Sequence, residues 1–78
     1  MVFKKVAKIL ADIMEIDSED ITLETALTNE YGIRAVDVAK LVIECEQKFK
    51  ITIHDEDVHT FLYVNDMVEY IKQIQSDW

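Results

Sequence analysis

Proline is absent from these 78 residues and glycine occurs once, at Gly32. Sheets of short strands need frequent turn residues, so this scarcity argues against an all-β architecture and for helices. Cysteine also occurs once, at Cys45, which excludes a disulfide framework and a cysteine pair for zinc. A reducing, cytoplasmic setting is the expectation. Positive charge is scarce: eight Lys and Arg stand against sixteen Asp and Glu, a formal net charge of −8. Phosphate contacts need a basic footprint, so nucleic acid is not an expected partner. An acidic surface steers association with a basic protein instead. No apolar run is long enough for a signal peptide or a membrane span, so no membrane partner is expected.

What is present is a balanced globular composition, half hydrophobic and just under a third charged. A single domain over residues 1–78 follows from the length, and a monomer is expected. A chain of this size buries only about 60% of its unfolded surface, which suits one shared core and not a deep enclosed active site. The charge is uneven: residues 1–33 carry −4, residues 34–50 carry +1 and residues 51–78 carry −5.

Val2, Phe3, Val6, Ile9, Leu10 and Ile13 recur at three- and four-residue spacing, which predicts a helix over about 2–15. The stretch "IDSEDITLETALTNEYG" is longer than the usual connection between bundle helices. It is expected to be pinned by Ile16, Ile21, Leu23, Leu27 and Tyr31. A second helix is predicted from Ala35 to about Phe49, with Val38, Leu41, Val42, Cys45 and Phe49 on one face. "ITI" at 51–53 is read as an extended connection, and "HDEDVHTF" as a short helical turn with Asp55 as its cap. A last helix from about Asn65 carries Val68, Ile71 and Ile74. The expected fold class is all-α, a small four-helix bundle with a long first loop.

Searching for chemistry removes most classes. Ser18 and Ser76 lack any signature of an activated nucleophile. Cys45 lies on the apolar stripe and is read as a small hydrophobe. His54 and His59 are spaced wrongly for one helical face, and the acidic turn beside them lacks the glycine of a calcium loop, so no metal is expected. An enzyme is not expected. One feature survives, "EYGIRAVDVAKLV" at 30–42: a glycine turn entering a helix N-terminus, a place that favours a phosphate. Ala35 stands where a helix cap is expected, without a hydroxyl to cap or to be esterified.

In order and spacing, the whole chain resembles the acyl carrier protein family. "YGIRAVD" stands where members carry an Asp-Ser-Leu-type motif after a glycine turn: Gly32 matches the glycine, Ala35 the serine, Val36 the aliphatic and Asp37 the acid. "VAKLVIECEQKFKITIHDED" and "VNDMVEYI" are similar to the family's second and final helices and the segment between. The resemblance implies a carrier that tethers acyl intermediates as thioesters on a 4′-phosphopantetheine arm, for fatty-acid, polyketide or related biosynthesis. The arm belongs on a serine at position 35, and Ala35 cannot take it. It implies a phosphopantetheinyl transferase and acyl-transferring or condensing enzymes as partners, docking on Arg34, Asp37, Lys40, Glu44, Glu46, Asp55 and Glu56. Arg34, Lys40 and Gln47 thin the acidity usual on this face, and His54 replaces a frequent proline. Val38, Val42, Cys45, Ile53, Phe61 and Ile71 are the candidates for a core that opens around a short acyl chain, with a closed core as the alternative. Two accounts of Ala35 stand: an engineered replacement of serine, favoured by its intact surroundings, or a natural arm-less scaffold that recruits a basic partner. An aminoacyl or peptidyl carrier is a further alternative.

Overall fold

The computed structural model describes residues 2–28 and 32–76, the last by its backbone alone. Its elements are α1 (Val2–Met14), a 3₁₀ turn (Ser18–Asp20), α2 (Ala35–Phe49), α3 (Asp55–Val58) and α4 (Val64–Ser76). The all-α bundle expected from the spacing is the one observed: three long helices and a short one, with no strand among the described residues. α1 packs on both α2 and α4.

The apolar stripes meet in one core. Leu10, Leu41, Cys45, Val64, Met67, Val68 and Ile71 are fully or almost fully buried. Each large apolar side chain so placed contributes about 1.5–3 kcal/mol relative to exposure. Ala7 and Ala11 are buried too. They lie on the same face of α1 as Val6 and Leu10, but alanine gives little weight to a periodicity argument.

With one glycine available, the helix ends are built from other residues. Glu15 and Lys50 take left-handed conformations, at φ 59° and 56°, directly after α1 and α2. Beyond each, an isoleucine N–H reaches back to the last turn: Ile16 to the Ala11 carbonyl at 3.0 Å and Ile51 to that of Glu46 at 3.1 Å. This is the helix-closing pattern that usually employs glycine.

The long first loop is held differently from the expectation. Ile21 and Leu27 are buried, but Ile16 and Leu23 are 48% and 41% exposed. Tyr31 lies outside the described residues. The loop's main clamp is backbone: an isolated antiparallel bridge joins Ala26 to Tyr63. Leu27 N–H donates to the Leu62 carbonyl at 2.8 Å, and Val64 and Asn65 donate to Thr25 and Leu23, each at 2.9 Å. Backbone pairing across a long sequence separation leaves no side-chain pattern to read.

α3 begins one residue earlier than a capping Asp55 requires. His54 is the N-cap and makes no side-chain cap bond, so Asp55 is the first helical residue. The short helix is held to α4 by Tyr70, whose hydroxyl donates to Asp57 Oδ2 at 2.8 Å. The Phe61 and Tyr70 rings meet edge to face at 5.2 Å.

Candidate functional site

The turn into α2 is specified residue by residue. Gly32 has φ 76°, where a side chain is disfavoured, while a Cβ there would meet nothing within 4 Å. The glycine therefore serves its torsion and not a close approach. Ile33 drops into the core, 4% exposed. Arg34 is extended and holds the N-cap, which makes Ala35 the first residue inside the helix. The cap expected at position 35 is thus one residue earlier, and alanine, a strong helix former, sits there without loss of a cap bond.

Capping comes from Asp37, the third helical residue. Its Oδ2 accepts from the Arg34 backbone N–H at 3.0 Å and from Arg34 Nε at 3.3 Å. A guanidinium has no acceptor, so Arg34 cannot return the bond from its side chain as serine or threonine does in a capping box. The Asp37 N–H goes to the Arg34 carbonyl instead, at 2.9 Å. Asp37 is 5% exposed. The Arg34 N–H, followed by the Arg34 side chain, holds its carboxyl below the ordinary 3.8. The carboxylate is turned inward to close the helix, and little of it reaches the surface.

The remaining docking candidates do not form one acidic strip. Arg34 and Lys40 are exposed at the start of α2, and Asp55 and Glu56 are exposed on α3. Glu46 is half-buried, and its Oε2 accepts from the Ile53 N–H at 2.8 Å, fixing the chain between α2 and α3. Glu44 is exposed but lies on the flank of α2 that meets Ile9 and Asp12 of α1. What the outward face of α2 offers is apolar: Val36 and Ile43, seven residues apart, are 48% and 53% exposed. Ile43 falls outside the apolar periodicity that marks the buried stripe of α2. Its signal was an isoleucine on the opposite side of that stripe.

The six acyl-pocket candidates belong to one cluster. Val42, Cys45, Ile53, Phe61 and Ile71 are buried in it, and Val38 packs at its edge. They pack as part of the bundle's single core. Burial pushes the Cys45 thiol up to about 12, which keeps it protonated and unreactive. An open apolar crevice of about 110 Å³ lies elsewhere, where Leu10 and Met14 of α1 face Ile21 and Ile33 of the first loop.

Residues 4–71 match the family described as the phosphopantetheine attachment site. The chain is 37% identical over 73 residues to the acyl carrier protein of Phytoplasma mali (strain AT), covering 94% of this chain and 87% of the relative. It is 36% identical over 72 residues to the acyl carrier protein of Clostridium acetobutylicum, with 92% and 94% covered. With the acyl carrier protein of Aster yellows witches'-broom phytoplasma (strain AYWB) it shares 35% over 76 residues, or 97% and 100%. The chain belongs to the acyl carrier protein family. It is accordingly a carrier and not an enzyme.

Membership in the acyl carrier protein family implies phosphopantetheine in the modified form. The setting fits such a group: an exposed first helical position behind a glycine turn, with the Ala35 and Val36 N–H groups at the helix start to face a phosphate. The chemistry does not fit, because Gly32, Arg34, Ala35 and Val36 offer no hydroxyl. Among the described residues, no cluster of His, Cys, Asp or Glu could hold a metal ion, and no helix is long and apolar enough to cross a membrane.

Proposed function

We propose that position 35 is the attachment position of this carrier, and that Ala35 holds the chain in its arm-less form. The observation that carries this reading is the placement of Ala35. It is exposed, it opens α2, and its turn and its capping carboxylate are both complete without it. A serine there would point a hydroxyl to solvent while Asp37 kept the helix closed. On this reading the serine form bears 4′-phosphopantetheine and carries acyl intermediates as thioesters in the cytoplasm, for fatty-acid, polyketide or related biosynthesis. Ala35 then replaces a serine in an otherwise complete site.

The partners on this reading are a phosphopantetheinyl transferase and acyl-transferring or condensing enzymes. Val36 and Ile43 supply the apolar part of the docking face, with Arg34, Lys40, Asp55 and Glu56 at its edges. Asp37 and Glu46 are engaged within the chain and support that face from inside.

The chain as it stands makes the reading testable without changing it. It should bind a broad-specificity transferase and competitively slow the loading of a serine-bearing carrier from coenzyme A. Folded protein that leaves this rate unchanged at high excess would remove the docking part of the proposal. The second reading, a natural arm-less scaffold for a basic partner, is favoured by Ala35 itself. It predicts an Ala35→Ser protein that folds yet stays unmodified.

A further inference from the structure

Half of the chain's eight cationic side chains stand around one groove between α1 and α2. Lys4, Lys5 and Lys8 come from α1 and Lys48 from the last turn of α2, over Ile9 as an apolar floor. The groove is open to solvent, with a volume of about 620 Å³. Among the described residues, neither Lys4, Lys8 nor Lys48 has a carboxylate within 4 Å. Lys5 rests over the Phe49 ring, 5.8 Å from its centroid, and keeps its charge at the rim. Asp12 and Glu44 also line the groove.

This grouping works against the helix that carries it. Lys4 is the third residue of α1, where α2 and α4 place Asp37 and Asp66. Those two aspartates accept N–H groups of their own helix starts, and a lysine cannot. Lys4 and Lys5 also oppose the positive end of the helix dipole, and Lys4 and Lys8 repel at a spacing of four. A chain with net charge −8 has gathered three lysines on a helix start that the dipole disfavours, beside a fourth at the end of α2.

We propose that this groove is a second docking surface, fitted to an acidic, amphipathic helix of a partner protein. Carboxylates on such a helix would meet the four lysines while an apolar side chain reaches Ile9. The concave shape favours a helix over a flat anionic membrane, from which the chain's overall negative charge would repel it. About 20 Å of α2 separates Lys48 from Ala35 at 1.5 Å per residue, so a partner held here leaves the start of α2 free. The inference does not depend on what position 35 carries.

The test is a titration of the ¹⁵N-labelled full chain with a synthetic Glu/Leu amphipathic peptide, followed by amide shifts. A Lys/Leu peptide of equal length and phosphatidylglycerol vesicles serve as controls. Saturable shifts are expected at Lys4, Lys5, Lys8 and Lys48, weakening severalfold as salt is raised. A Lys4→Glu, Lys8→Glu, Lys48→Glu variant, shown folded by circular dichroism, should bind at least tenfold more weakly. The proposal is overturned by no saturable shifts, by shifts centred on Val36–Ile43, or by undiminished binding of the variant. Vesicles that bind as tightly as the acidic peptide would also overturn it, in favour of a membrane surface.

Discussion

The starts of α1 and α2 solve the same problem in opposite ways. α2 begins with an extended Arg34 whose N–H is received by the buried Asp37 carboxylate. α1 has no acid in its first turn and carries Lys4 at the equivalent position, with Lys5 next to it. Helix starts favour negative charge, so α2 is stabilised by its own first turn and α1 is held by what it packs against. Val6, Ala7, Leu10 and Ala11 supply that packing. The proposed attachment position sits at the start of the self-closing helix, and three of the four lysines of the groove sit on the other.

The largest effect is expected where the self-closing start is removed. Asp37→Ala should lower Tm by roughly 5–10 °C, read by circular dichroism melting, because it strips an internal cap from a small domain. A shift under about 2 °C would mean that α2 is held by packing alone, as α1 is. Asp37→Asn isolates the charge, since it keeps an acceptor for the Arg34 N–H. The folded carboxyl lies below 3.8, so the charge contributes in full above that value and is lost as pH falls through the folded one. The stability gap between the parent and Asp37→Asn should therefore be constant above about pH 5 and close on further acidification. A gap that widens toward low pH would reverse the sign.

Smaller effects separate the two starts further. Lys4→Glu should stabilise the chain by about 0.5–1 kcal/mol in urea unfolding, by placing an acid where the dipole favours it. No gain would show that the first turn of α1 is insensitive to charge. Ala35→Ser should change stability by less than about 0.5 kcal/mol, because position 35 is inside the helix and Asp37 does the capping. A gain of 1–2 kcal/mol would return the cap to position 35.

The bundle itself was legible because its signal is periodic: apolar residues at three- and four-residue spacing marked α1, α2 and α4, and these pack as expected. The glycine turn and Ala35 were legible because Gly32 is the only residue of its kind. The parts that escaped have specific reasons. Asp37 and Glu46 look like surface charge in a sequence rich in acids, and only their N–H donors, Arg34 and Ile53, show them to be internal struts. The clamp of the first loop runs through backbone groups of Leu27, Leu62 and Val64, where side-chain identity carries little information. The lysine groove joins residues some forty positions apart, so neither half stood out alone.

Mass spectrometry after incubation with coenzyme A and a broad-specificity phosphopantetheinyl transferase tests most directly whether position 35 is a complete attachment site lacking one oxygen. The chain and its Ala35→Ser variant are run side by side, with circular dichroism confirming that both are folded. The parent should keep its mass, and the variant should gain one phosphopantetheinyl group at position 35. A folded variant that stays unmodified, or a parent that gains the group elsewhere, would contradict that assignment.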